Sequence, residues 1–300
     1  MTSNTIEAVT AVPATTRSRR SGSAVLRSLL RNPTAVFGAV VVIIIVLATL
    51  FAGVIAPFNP DAINLNLAHA APGHGHLLGT DLQGRDVLSR LLYAGRASLL
   101  IGVGAVVVSL VIGVPLGALA GFFGGWLDAI ISRVTDVVLS FPVIVLAVVA
   151  GAVLGSGIWS LIVLLGCILW TTICRLVRSI AIAQRDADYV VAARSLGASD
   201  LRIIVKHILP STVGVIVVNA VFGVANVILI EASLSFLGLG VRPPTPSWGN
   251  MLSDAQSLGV LAGQPWMWVP PAATILLTIV SINFLGDGMQ KALDPRLRNR

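Results

Sequence analysis

The side chains able to do chemistry in this 300-residue sequence are few and far apart. Three of its four histidines, His69, His74 and His76, fall within eight positions, a density at which imidazole nitrogens are candidate metal ligands. Ala, Pro and Gly surround them and impose no ligand geometry, so a plain flexible loop accounts for them equally. Glu231 is a single carboxylate inside a long apolar run. Such a group is costly to bury. It is a candidate for lining a translocation path, for pairing with a basic group on a partner, or for facing water at a helix mouth. Cys167 and Cys174 lie seven residues apart, roughly 10 Å along one helix and beyond disulfide reach, so they read as small packing residues. The only lysines are Lys206, followed by His207, and Lys291, followed by Ala292. A phosphate-binding loop needs Lys followed by Ser or Thr after a glycine-rich turn, so ATP is not bound that way. With no Ser/His/Asp set either, the chain reads as no enzyme.

Composition explains this sparseness. Hydrophobic residues make up 56% and charged residues only 11%, with mean hydropathy +0.92. A water-soluble domain carries about 25% charged residues; here there is too little charge to cover a water-facing surface, and lipid is the solvent for most of the chain. The net charge of +7 does not indicate nucleic acid. The basic residues come in short blocks between apolar runs, with no stripe that interleaves aromatic and basic side chains.

Six apolar runs predict an all-α polytopic membrane protein: Ala35–Ala56, Ala97–Ala120, Val137–Leu154, Ile158–Cys174, Val213–Ser235 and Val269–Gly286. The first has 22 uncharged residues, enough to cross roughly 30 Å of hydrocarbon and too long for a signal peptide. Gly155-Ser156-Gly157 predicts a tight hairpin between the third and fourth runs. Gly113, Pro115, Gly117 and Pro142 are tolerated within spans, and the glycines permit close helix approach. With the N-terminus inside, residues 1–34, 121–136, 175–212 and 287–300 are cytoplasmic and hold sixteen of the twenty Lys and Arg, as the positive-inside rule requires. Residues 1–34 read as a disordered tail, and 288–300 as a second cytoplasmic tail. On the outer side, residues 57–96 end in an amphipathic piece with Val87, Leu88, Leu91 and Leu92 on one face and Ser89 and Arg90 opposite. Its pattern predicts a helix along the membrane surface. Trp248, Trp266 and Trp268, in 236–268, fit an interfacial belt.

The cytoplasmic loop 175–210 holds two helical patterns that meet at Gly197. The second begins at Ser199 as N-cap, with Asp200 at the positive helix end. Leu201, Ile204, Val205 and Ile208 then form one apolar stripe, and Pro210 ends the pattern. Such a stripe either docks into a groove on a partner or packs beneath the helix bundle.

Ala192-Ala193, three residues, Gly197, twelve residues and Pro210 resemble the "EAA" loop of membrane subunits of ATP-binding-cassette importers. LGTDLQGRDVLSRLLYAGR (78–96), GFFGGWLDAIISRVTDVVLSFP (121–142), EASLSFLGLGVRPPTPSWGNML (231–252) and GDGMQKALDPRLR (286–298) are similar to the dipeptide/oligopeptide/nickel branch, and within it to the C-type permease subunit. The resemblance covers Leu77 to Arg298. It implies a type I importer transmembrane domain over 97–287 in a bacterial inner membrane, with a coupling loop at about 185–210. It also implies a homologous second permease subunit, two ATP-binding subunits that use ATP and Mg, and an extracytoplasmic solute-binding protein. The coupling residues it assigns are Ala192, Ala193, Gly197, Ser199, Asp200, Leu201, Ile204 and Val205. Val191 stands where the family carries Glu, and His207 where many relatives carry Ile. The substrate stays open among peptides, nickel, haem and glutathione; a proton-coupled secondary transporter is the alternative of another class, requiring charges in several spans.

Topology is directly testable. In intact cells, single cysteines at Ser23, Ser199 and Asn299 are expected to resist a membrane-impermeant thiol reagent, in a background lacking the native cysteines. One at His74 is expected to react. Labelling at Ser199 from outside overturns the orientation.

Overall fold

The computed structural model describes residues 27–73, 75–155 and 157–293. Its main helices are α1 (Pro33–Leu50), α2 (Val87–Phe123), α3 (Gly125–Leu139), α4 (Val143–Leu154), α5 (Ile158–Arg185) and α6 (Asp188–Ser195). They are followed by α7 (Asp200–Phe236), α8 (Trp248–Asp254), α9 (Leu258–Gly263) and α10 (Pro265–Leu293). Among the described residues, five helices are long and apolar enough to span a membrane: α1, α2, α5, α7 and α10. The pair α3 and α4, bent by 88° at the break between them, makes a sixth span if counted as one.

The expected run Val137–Leu154 is therefore not one straight helix. Gly124 at φ +65° opens α3, and Pro142 stands at the head of α4. Residues 125–136, within the segment expected to be cytoplasmic, are helical, and their polar side chains have partners on α5. Arg178 forms a two-pronged pair with Asp128, through Nε to Oδ1 and through Nη2 to Oδ2 at 2.7 Å. Residues 27–30, expected within the disordered tail, are helical as well, whereas 1–26 and 294–300 lie outside the described residues.

The amphipathic piece at 87–92 does not lie apart on the surface. It forms the first turns of the 37-residue α2. Ser89 and Arg90, expected to face water, are buried together with Val87. The Asp86 carboxylate caps the helix, accepting from Ser89 N at 2.7 Å and Ser89 Oγ at 2.7 Å. Arg90 meets Asp81 at 3.5 Å and donates to the Pro60 carbonyl at 3.3 Å. The polar pattern therefore marks an interior ion network rather than a solvated face. Arg96 closes α1, donating to the carbonyls of Thr49 and Leu50 at 2.8 Å each, where the C-terminal end of a helix is negative.

The most extensive helix contact is α2 on α5. Gly113, Gly117 and Gly121, four residues apart, face the carbonyls of Trp170, Cys174 and Arg178, also four residues apart. A Cβ at Gly113 would stand 2.6 Å from the Trp170 oxygen, and one at Gly121 would stand 2.5 Å from that of Arg178. This small-residue stripe brings the two backbones together, the means by which helices gain dispersion energy where lipid supplies no hydrophobic drive. Along its outer half, α2 meets α7, which in turn packs on α10, while α1 rests against α10 at the periphery.

Glu231 clasps the end of this bundle remote from Gly197. It is fully buried on α7. Ser235 Oγ donates to Oε1 at 2.7 Å and Ser98 Oγ, from α2, donates to Oε2 at 3.2 Å, with Ser247 as a third hydroxyl partner. Ser98 in turn accepts from the backbone N–H of Trp248 at 3.2 Å, and the Trp248 indole donates to the Leu91 carbonyl at 3.1 Å. The carboxyl group thus joins α2, α7 and the start of α8 within one chain. Hydroxyls of this chain enclose it, so it does not face water at a helix mouth. Trp248 likewise is no interfacial belt residue, being only 1% exposed.

Two outcomes follow from this packing. Gly117→Leu is expected to abolish the stable fold, read as loss of a monodisperse detergent-solubilised species, and Gly117→Ala to lower its melting temperature at a cost of about 1–3 kcal/mol. An unchanged melting temperature for both would mean that the backbones are not in contact there. Glu231→Ala leaves buried hydroxyls unpartnered, about 1–3 kcal/mol, and is expected to expose residues 240–255 to protease. Glu231→Gln, which keeps an acceptor, is expected to be milder.

Candidate functional site

The loop singled out by sequence folds as an elbow of α6, Gly197 and the start of α7. Its corner is a Schellman turn: Gly197 N–H bonds the Arg194 carbonyl at 3.0 Å and Ala198 N–H reaches back to the Ala193 carbonyl at 3.0 Å. Gly197 sits at φ +80° with open space around its missing Cβ. The requirement for glycine is therefore conformational, since an L side chain in this region strains its own backbone. Ala192 is exposed and its carbonyl accepts from Leu196 N at 3.1 Å, while Ala193 packs inward. Ser199 occupies the N-cap position, though its side chain makes no capping bond. Asp200 lies 3.7 Å from Arg194 across the corner, both about half exposed, an ion pair of small energetic weight.

The predicted stripe divides. Ile204 and Ile208 are buried, joined by Ile203, whereas Leu201 is 68% and Val205 52% exposed. The cause is a π turn over Ile204–Ile208, in which Leu209 N–H bonds the Ile204 carbonyl five residues back. That wider turn rotates Ile208 away from Leu201 and onto the Ile203/Ile204 face. It also corrects the expectation for Pro210. The proline does not end the helix but sits in the first turn of its Leu209–Phe236 segment, and the π register just before it accommodates a residue without an N–H. The elbow therefore runs directly into the span.

The packing reading of the stripe holds for its buried residues. Ile203, Ile204 and Ile208, with Val190, pack on Phe122 of α2 and Val177 and Ala181 of α5. Gln184 Oε1 accepts from Tyr189 Oη at 3.0 Å and Ser211 Oγ at 2.5 Å, fastening α5, α6 and α7 together. Nothing in the sequence pattern marked Gln184 out, because its partner Ser211 lies 27 residues further along the chain. On the outer side of the elbow, Val191, Leu196, Leu201 and Val205 stand exposed, Leu196 at 88%, with Arg202 and Lys206 exposed beside them. His207 approaches the Tyr189 ring at 6.1 Å.

The outer histidines are separated by their bonds. His76 is buried, its Nδ1 2.8 Å from Asp86 and its ring 4.5 Å from that of Phe58. His69 Nδ1 lies 2.6 Å from Gln264 Oε1, and His74 falls outside the described residues. Among the described residues no group of three or more His, Cys, Asp or Glu is arranged to hold a metal ion. Near them, Arg85 pairs with Asp81 at 2.6 Å and with Asp254 at 3.4 Å. Burial pushes the Asp254 carboxyl above its ordinary range, against the opposing pull of Arg90 and Arg85.

Comparison with known proteins places this geometry. Residues 113–299 match the binding-protein-dependent transport system inner membrane component, and residues 22–72 match the N-terminal transmembrane domain of oligopeptide transport permease C. A relative in Brucella suis biovar 1 whose name carries the words peptide permease is 41% identical over 267 residues, 89% of this chain and 88% of that one. The glutathione transport system permease protein of Pectobacterium atrosepticum is 39% identical over 274 residues, 91% and 90% of the two chains. The dipeptide transport system permease protein of Alkalihalophilus pseudofirmus is 36% identical over 273 residues, 91% and 89%. A membrane bundle with this elbow, matched over more than half its length by one family model, leaves a single assignment: the chain belongs to the inner membrane components of binding-protein-dependent transport systems, the membrane-spanning permeases of ATP-binding-cassette importers, in their peptide branch.

Proposed function

We propose that this chain forms half of the translocation pore of an ATP-driven importer of short peptides, glutathione included, and that its elbow receives the mechanical input. The observation that carries the reading is the exposed apolar patch of Val191, Leu196, Leu201 and Val205 on an element whose other face is locked into the bundle. Exposed apolar groups on a rigid corner, rimmed by Arg202 and Lys206, suit a groove on an ATP-hydrolysing partner. A push on that corner has two routes into the membrane. One is direct, because α7 continues from the elbow across the bilayer. The other passes through the buried isoleucines to the ends of α2 and α5. Two ATP-binding subunits closing on ATP and Mg would supply the stroke on the cytoplasmic side of a bacterial inner membrane. A homologous permease would complete the pore, and a solute-binding protein would deliver peptide from outside. Membership of the family removes the proton-coupled alternative.

The elbow offers separable variants. Gly197→Ala is expected to weaken coupling modestly, by about 1 kcal/mol of backbone strain. Gly197→Val is expected to leave the protein in the membrane but to abolish substrate-stimulated ATP hydrolysis or release the ATPase. Leu201→Ala is expected to cost about 1–3 kcal/mol of docking, as a buried interface anchor does, and Arg202→Ala less. The measurement is ATPase activity of the reconstituted complex together with subunit retention on purification. Full coupling and full retention in Gly197→Val would show that the elbow is not the transmission element.

A further inference from the structure

The middle of α7 carries two amides, Asn219 and Asn226, seven residues apart on one helical face. Both sit within a few residues of the midpoint of the Leu209–Phe236 segment, the part deepest in hydrocarbon. Neither belongs to the clasp, the elbow or the outer ion network. Asn219 Nδ2 donates back to the Val215 carbonyl at 3.0 Å. No side-chain bond within the described residues engages Asn226, which is exposed. An unpaired amide facing lipid at that depth costs several kcal/mol. Something polar must therefore meet this face in the working assembly.

The surface is concave. The two amides open into a groove of about 200 Å³ between α2, α5 and α7, with Phe222 between them and the hydroxyls of Ser109 and Thr172 on the opposite walls. Ser109 is spent on the Val106 carbonyl at 2.8 Å; Thr172 is exposed, and its hydroxyl has no bond within the described residues. A flat helix–helix contact would call for a smooth small-residue seam of the kind that joins α2 and α5. Here, instead, polar groups punctuate an apolar trough. Seven helical residues place the amides roughly 10 Å apart along the helix, which is about the length of three residues of extended peptide. A carboxamide offers both donor and acceptor, the complement of a peptide group, and it binds the backbone whatever the side chains are.

Resting on the peptide reading above, we infer that Asn219 and Asn226 are substrate-contacting residues that hold the backbone of a short peptide in mid-membrane transit. The groove reads peptide groups rather than sequence, as a path that must release its cargo requires.

The test uses the complete complex in proteoliposomes, with trialanine and its backbone N-methylated analogue as probes. Asn226→Leu and Asn219→Leu are each expected to raise the KM for trialanine about five- to tenfold, the effect of one lost neutral hydrogen bond, with every subunit retained. The wild type is expected to discriminate against the N-methylated peptide by a similar factor. Asn226→Leu is expected to lose that discrimination and Asn226→Gln to recover part of it, a pattern that a merely structural role would not produce. Trialanine uptake unchanged in both variants overturns the assignment while leaving the peptide reading intact. Loss of the second permease on purification also overturns it and marks the face as a subunit contact. If the wild type shows no ATP-dependent uptake of trialanine, the peptide reading itself fails and the assignment with it.

Discussion

The packing of α2 on α5 through Gly113, Gly117 and Gly121 is the contact on which the other features stand. In lipid, helix association draws little from hydrophobic transfer and depends on how closely backbones approach and how many atoms then touch. The stripe brings three residues of one helix against three carbonyls of the other, and it ends where the elbow begins. Phe122, one residue beyond Gly121, and Ala181, one turn beyond Val177, form the floor on which Ile203, Ile204 and Ile208 rest. The same pair of helices supplies two walls of the mid-membrane groove. If these helices separated, the elbow would lose its seat and the groove its walls.

A second constraint shapes the end of the bundle remote from the elbow. Polar groups removed from water must be satisfied within the protein, and this chain meets the demand with two compact networks. One gathers Glu231, Ser98, Ser235, Ser247 and the backbone of Trp248. The other gathers Asp81, Arg85, Arg90 and Asp254, with Asp86 and His76 next to it. Both tie chain segments that are far apart in sequence, so the outer loops are held to the bundle by directional bonds where apolar packing alone would let them slide.

At the elbow the constraint is continuity. For the proposed transmission, a flexible joint between the exposed patch and the span would dissipate a push. The Schellman corner at Gly197 fixes one side, and the π turn carries the helix past Pro210 on the other. That wider turn sorts the apolar residues into an inward set that grips the bundle and an outward set that stands exposed.

The sequence by itself determined the membrane environment, the approximate positions of the apolar runs, the special conformation at Gly197 and the family motifs, because each is a local property of composition or spacing. The oxygen-rich cap around Glu231 was not legible, since Ser98 and Ser247 lie 133 residues before it and 16 after it in the chain, and no local pattern records such a meeting. Nor was the burial of Ser89, Arg90 and Trp248 legible: periodicity reports that two faces differ, and only packing decides which face is inside. The stripe from Leu201 to Ile208 shows the same limit on a smaller scale. Its spacing assumed an α register, and a single wider turn, settled by Pro210 and by the fit of Ile208 against α2 and α5, reassigned which residues grip the bundle and which stand exposed.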